Sequence, residues 1–427
     1  MSQKNVEVSP APPSFGDVLE ARRAIAPYLQ RTPLHRYPLL DQLVGAEVYV
    51  KHENHQPIGA FKVRGGINLV SRLDDDARRG GVVAASTGNH GQSVAYAARQ
   101  FGVPATIYVP VEPNPVKVAS IRGLGARVVE HGVDFDEARE RCAADAHEHG
   151  ARYIHHGDEP LLVAGVATET LEILEDQPRI DAIIVPLGGG SGAAGACVVA
   201  KQIRPTTEVI AVQSEAAPAA YRSWRDQALL EDEMQTFAEG LATRTACALT
   251  QQILWEHLDD FVLVTDDELR ACTLHMIELT RNLVEPAGAA PLAAALRLRE
   301  RFKDKSIALI CSGGNISPAQ LAKLLASDGT RRLMKQPLLH GRPLHRTPPK
   351  AAAHMGDRAH VRPGREKLRD SPRRFDLADL EHPRYDPGRP WHRFRLPHPG
   401  LPVAHPQRGY LPECCSRAPS SNPLPPR

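Results

Sequence analysis

At 427 residues the chain has room for two or three domains and ample length to bury a core up to about residue 330. The net charge of +2 conceals a split. Residues 331–427 hold 17 arginines and 3 lysines against 8 acids, a net +12, which leaves about −10 on the first 330. An acidic body with no basic face argues against nucleic acid, and no apolar run approaches the ~18 residues of a membrane span. Seven scattered cysteines form no CxxC pair and no metal spacing, as a reducing compartment permits. The polar, proline-containing start from Met1 to Asp17 has no apolar segment of a signal peptide, so the cytoplasm is the expected location.

A first helix is predicted from Ser14 to Gln30, capped by Ser14 with Asp17, with Val18, Ala21, Ile25 and Leu29 on one side. Strand and helix signals then alternate. Strands are predicted at 48–51, 81–85, 105–109 and 127–130, and helices at 89–101, 115–124 and 135–149. The rhythm continues with helix 160–176, strand 182–186, helix 191–203, strand 208–212, strand 261–264 and helix 266–281, the last with a Thr265–Glu268 capping box. Helix 286–302, strand 307–311 and helix 318–326 complete it, with Ser317 as N-cap and Pro318 at the first helical position. Apolar strands alternating with helices imply parallel sheets covered on both faces, and two such sheets suit the length. The last 97 residues carry 18 of 37 prolines and 8 of 19 histidines with little apolar periodicity, so the tail is expected to be disordered. A basic interaction arm and a frameshifted reading frame are the alternatives for it.

The chain centres on Pro57-Ile58-Gly59-Ala60-Phe61-Lys62-Val63-Arg64-Gly65-Gly66. Lys62, alone in a small, apolar run, should lose solvation and favour the neutral, nucleophilic amine. Such an amine forms a Schiff base with an aldehyde cofactor; the plainer alternative is a lysine that snorkels to water. Three other stretches lie where such chemistry needs them. Ser86-Thr87-Gly88-Asn89-His90-Gly91 joins a strand to a helix, a place that attracts a carboxylate or is simply a capped turn. Gly188-Gly189-Gly190-Ser191-Gly192 occupies a second such junction and favours a phosphate. It also matches the dinucleotide pattern G-x-G-x-x-A (Gly188, Gly190, Ala193) with Glu215 roughly placed, so a nicotinamide enzyme competes on this motif. Cys311-Ser312-Gly313-Gly314-Asn315 follows the last strand, and Ser312 can donate to a ring nitrogen or cap a turn.

Taken together, these stretches resemble the fold type II family of pyridoxal-phosphate enzymes, and within it the threonine/serine dehydratases. The resemblance covers about residues 15–327. It adds Arg31-Thr-Pro-Leu34, Lys51-His-Glu-Asn54, Asn68 and Val284-Glu-Pro-Ala-Gly288 to the stretches above. It implies a tryptophan synthase beta-like α/β fold with two doubly wound domains. The large one comprises residues 1–80 and 158–328, the small inserted one 81–157, and the tail 329–427. It also implies that Lys62 forms the Schiff base with pyridoxal 5'-phosphate, that Phe61 and Asn89 flank the ring, and that Gly188, Gly189, Gly190, Ser191 and Gly192 hold the phosphate. Ser312 would meet the pyridine nitrogen, and Ser86, Thr87, Asn89 and His90 would surround the substrate carboxylate.

The implied activity is β-elimination from L-threonine or L-serine to a 2-oxo acid and ammonia, with a homodimer expected by analogy. A serine racemase, a 3-hydroxyaspartate dehydratase and an inactive binding relative are the alternatives. Residue 87 is Thr where racemases carry a second catalytic serine, which favours the lyase. In the segment 211–221, Gln213 and Ala219 stand where metal-stimulated relatives have acids. Glu215 alone is a poor hard-cation site, so no required metal is expected. The tail lacks the alternating strands and helices of a folded regulatory domain.

Overall fold

A computed structural model describes residues 10–326 apart from residues 87, 113, 114 and 134. The expectations for Thr87, for the tail and for the first nine residues lie outside the described residues. The chain opens with α1 (Phe15–Ile25), β1 (Leu34–Arg36), α2 (Pro38–Val44), β2 (Glu47–His52), α3 (Lys62–Val70) and α4 (Asp75–Gly80). Next come β3 (Val82–Ala85), α5 (Asn89–Phe101), β4 (Ala105–Val109), α6 (Pro115–Gly123), β5 (Arg127–Glu130), α7 (Phe135–His149) and β6 (Arg152–Tyr153). After α8 (Pro160–Asp176) the chain runs through β7 (Ala182–Pro186), α9 (Ser191–Ile203), β8 (Glu208–Ser214), α10 (Ala219–Asp226), α11 (Ala248–His257) and β9 (Asp260–Val264). It closes with α12 (Asp266–Thr280), α13 (Pro286–Arg297), β10 (Ser306–Cys311) and α14 (Pro318–Ala326).

The strands form two sheets, one ordered β1-β2-β10-β7-β8-β9 and the other β5-β4-β3-β6. Every pairing is parallel except that of β1 with β2. The period-2 alternation of strand side chains distributes the core to both faces of the larger sheet. Ile307, Leu309 and Cys311 join α2, α12 and α13 on one face, while Ala308 and Ile310 join α8, α9 and α11 on the other. The architecture is thus α/β with mainly parallel, doubly wound sheets. Among the described residues no helix is long and apolar enough to cross a membrane.

Local chemistry explains the element ends. Ser14 with Asp17 and Thr265 with Glu268 each form the expected reciprocal capping box, and Ser317 accepts from the Gln320 N–H while Gln320 bonds back. The helix at Lys62–Val70 is not among the elements expected from the sequence, since two successive glycines are poor helix formers. Their missing side chains are instead what lets α3 pack tightly. A Cβ on Gly65 would lie 2.9 Å from the Leu162 carbonyl oxygen of α8, and one on Gly66 2.4 Å from Ser93 Oγ of α5. Two predicted helices are shorter than expected: the first stops at Ile25, not Gln30, and the one from 286 stops at Arg297, not 302.

The turns that follow β2, β3, β7 and β10 all leave the C-terminal ends of parallel strands, the edge at which such sheets bind ligands.

Candidate active site

The turn before Lys62 is stitched to the turn after β10. Phe61 N–H donates to the Ser312 carbonyl (3.0 Å), Gly314 N–H to the Gly59 carbonyl (2.9 Å), and Asn315 Nδ2 to the Ile58 carbonyl (2.9 Å). Lys62 is thereby fixed as the first residue of α3. Its Nζ donates to Ser191 Oγ (2.8 Å) and to the His156 carbonyl (3.1 Å) and lies 5.3 Å from the centre of the Phe61 ring. Both hydrogen-bond partners are uncharged. Loss of water pushes the amine down to about 8, and the nearby Cys247 and Glu169 restore only part of the shift.

The second wall is the turn between β7 and α9. Gly190 holds φ at +87°, a left-handed conformation that glycine adopts without strain, and no side chain caps the helix it precedes. A Cβ on Gly188 would lie 2.4 Å from the Gly240 carbonyl oxygen, and one on Gly189 2.5 Å from His156 Cδ2. The carbonyls of Gly188 and Gly189 accept from Thr243 Oγ1 (3.4 Å) and Thr250 Oγ1 (3.1 Å). The first amides of α9 have no partner within their own helix, an arrangement suited to an anion.

The third wall is the start of α5, also without a side-chain cap. Ser86 Oγ accepts from the Gly88 N–H at 3.1 Å. Asn89 is held at both ends of its amide: Nδ2 donates to Glu285 Oε1 (2.8 Å), and Oδ1 accepts from Asn315 Nδ2 (2.7 Å). His90 also lines this wall. Its Nε2 bonds the Ile154 carbonyl at 3.1 Å, Nδ1 is buried without a partner, and burial beside Lys62 pushes the ring down to about 3.

One cavity of about 410 Å³ is lined by Phe61, Lys62, Ser86, Asn89, His90, Gly188, Gly189, Gly190, Ser191, Gly192 and Ser312. The structure therefore brings together every described residue that the resemblance assigns to cofactor or substrate. It also adds Lys117, Arg139, His155, His156, Arg244 and Glu285 to the walls. Glu285 lies inside the Val284-Glu-Pro-Ala-Gly288 motif and was the one legible addition; burial raises its carboxyl above the usual range. The Glu215 carboxylate is taken up by Arg297 (3.1 Å), and Gln213 Oε1 accepts from the Tyr221 N–H (3.1 Å).

Beneath Lys62 lies a buried ion network that explains the Lys51-to-Asn54 and Arg64 motif positions. Arg64 bonds Glu53 and Glu172, each at 2.8 Å, and Lys51 Nζ bonds Glu172 Oε2 at 2.6 Å and the Thr32 carbonyl at 2.7 Å. Two cations thus balance two acids, with Thr32 and Thr168 hydroxyls filling remaining sites. Glu169 is the surplus acid. Both its oxygens are buried without a hydrogen-bond partner, and burial pushes it well above the ordinary carboxylate range.

Pyridoxal phosphate fits this donor set: a partly neutral amine for its aldehyde, an uncapped glycine cradle for its phosphate, and a hydroxyl at Ser312 for its ring nitrogen. Comparison with known proteins agrees. A family described as "Pyridoxal-phosphate dependent enzyme" matches residues 25–313. The chain is 37% identical to an L-threonine ammonia-lyase of Thermotoga maritima, over 72% of this chain and 77% of that one. It is 36% identical to an L-threo-3-hydroxyaspartate ammonia-lyase of Saccharomyces cerevisiae, over 74% and 97%. The crystal structure of serine racemase from Dictyostelium discoideum superimposes with a TM-score of 0.68 and 34% identity, covering 71% of this chain and 99% of that one. Geometry and kinship converge, and the chain belongs to the family of pyridoxal-phosphate dependent enzymes.

Proposed function

We propose that the protein eliminates water and ammonia from a β-hydroxy amino acid, L-threonine or L-serine first, leaving a 2-oxo acid. The observation that carries this is the half-buried Lys62 amine, 2.8 Å from Ser191 Oγ at the mouth of an uncapped helix, with only uncharged hydrogen-bond partners. When bound, pyridoxal phosphate supplies an aldehyde that takes up amino groups and a ring that withdraws electrons from the substrate Cα.

The chain's own residues do the rest. Lys62 would hold the aldehyde, and its amine is the general base placed to take the α-proton. The amides of Gly188 to Gly192 hold the phosphate. Ser86, Thr87, Asn89 and the start of α5 receive the α-carboxylate, and the Glu285–Asn89–Asn315 chain fixes the orientation of Asn89. His90 holds the α5 amides in place through Ile154. Ser312 would meet the pyridine nitrogen as a neutral donor rather than an acid, which suits elimination.

A single base suffices for elimination, whereas racemisation needs a second on the opposite face, for which a threonine hydroxyl at 87 is a weak candidate. A 3-hydroxyaspartate lyase is the second reading, favoured by the cationic Lys117, Arg139 and Arg244 in the cavity wall. Residues 1–80 with 158–328 would form the cofactor-binding domain and 81–157 the inserted one, in keeping with the strands of the two sheets. A homodimer and cytoplasmic residence belong to the same reading; the five described cysteines, all buried and unpaired, suit a reducing compartment. The test is a panel of L-threonine, L-serine and threo-3-hydroxyaspartate scored for ammonia and 2-oxo acid, with chiral analysis of residual substrate. Product from none of them, or inversion without ammonia, refutes the proposal.

A further inference from the structure

His155, His156 and Cys247 play no part in the proposed reaction, yet they converge beside it. One ring nitrogen from each histidine and the thiol sulfur lie within 4.8 Å of one another. His156 Nε2 is 3.5 Å from Cys247 Sγ. A tetrahedral zinc ion, with Zn–N of about 2.0–2.1 Å and Zn–S of about 2.3 Å, sets its nitrogen and sulfur ligands roughly 3.5 Å apart. The observed pair already has that separation. Both imidazoles line the active-site cavity, so a fourth coordination position opens into it. The mixed nitrogen and sulfur set selects a borderline-soft ion over magnesium or calcium.

We propose that these three side chains bind one zinc ion per chain. The thiol gives up its proton to solvent as the Zn–S bond forms, and no oxidant or reductant is involved. His155 Nδ1 now accepts from the Gly157 and Asp158 N–H groups (3.3 and 2.9 Å). Coordination through Nε2 requires the ring proton on Nδ1, which exchanges those two hydrogen bonds for one to Asp158 Oδ2, 3.5 Å away, in a carboxylate–histidine–metal arrangement.

The test is equilibrium dialysis of the chelator-treated holoenzyme against zinc chloride, and separately against magnesium chloride, with metal per chain read by mass spectrometry. Zinc binding is measured without substrate, so its failure is independent of whether the protein is a lyase. The expected result is one zinc per chain, unaffected by magnesium, with affinity lowered at least 100-fold in Cys247→Ala and in His155→Gln at unchanged bound cofactor. A zinc-edge anomalous peak should lie at Cys247. The described residues hold one other such cluster, the largely buried Asp145 with exposed Glu148 and His149. Zinc well below one per chain, or zinc that survives Cys247→Ala but is lost in His149→Ala, overturns the proposal. If Cys247→Ala is unstable by thermal melting, His155→Gln alone decides.

Discussion

The reactivity of Lys62 in the cofactor-free protein follows from its surroundings. An ordinary lysine has a pKa near 10.4, so at pH 8 only about 0.4% of it is neutral amine. Burial brings Lys62 down to about 8, with no carboxylate hydrogen-bonded to the ammonium to oppose it. About half should then be neutral at pH 8, roughly 100-fold more than on a surface lysine. The perturbation is a pH series from 6 to 10 on apoprotein, trace-labelled with acetic anhydride alongside its own surface lysines. Peptide mapping by mass spectrometry gives the modification rate at each site. Lys62 should titrate with a midpoint near 8, and its rate relative to a surface lysine should be greatest below pH 8 and decline toward pH 10. A midpoint near 10.4 would show that the amine keeps its water, and the argument from desolvation would fail.

Three further outcomes are expected. Arg64→Met leaves Glu53 and Glu172 with only Lys51 as a cation, and breaking a buried pair this way should cost about 3–5 kcal/mol in urea unfolding; a loss under 1 kcal/mol would contradict the network's role. Glu169→Leu removes two unpartnered buried oxygens and should stabilise the fold by about 1–3 kcal/mol. Because the folded-state pKa of Glu169 is raised, its stabilising contribution is present below the unfolded pKa of about 4.5 and is lost as pH rises, so the gain should be larger at pH 8 than at pH 5. Equal gains at both would reject that assignment. Gly190→Ala forces a side chain into φ +87° with its Cβ 2.6 Å from Thr250 Oγ1. A strain of about 1–3 kcal/mol is expected, with weaker uptake of pyridoxal phosphate by fluorescence titration, and unchanged uptake would argue against the cradle.

Much of this was legible in one sequence because long apolar strands and capped helices declare themselves locally. The apolar strand at 182–186 and the box at Thr265–Glu268 needed no tertiary information. The helix carrying Lys62 did not declare itself, since Gly65 and Gly66 make sense only once Leu162 and Ser93 are known to press against them. The active-site motifs were visible because glycines, an isolated lysine and helix starts have few cheaper explanations. The cationic and imidazole walls were not. Lys117, Arg139, His156 and Arg244 come from separate segments and line one cavity with Lys62 only through the packing of the chain. Surplus Glu169 looks like any other helical glutamate until its neighbours are counted.

The central claim is most directly tested by reducing the purified holoenzyme with borohydride and mapping its peptides by mass spectrometry. The account predicts one pyridoxyl group per chain, on Lys62. That mass on Lys51, Lys117 or any other lysine, or on none, would contradict it.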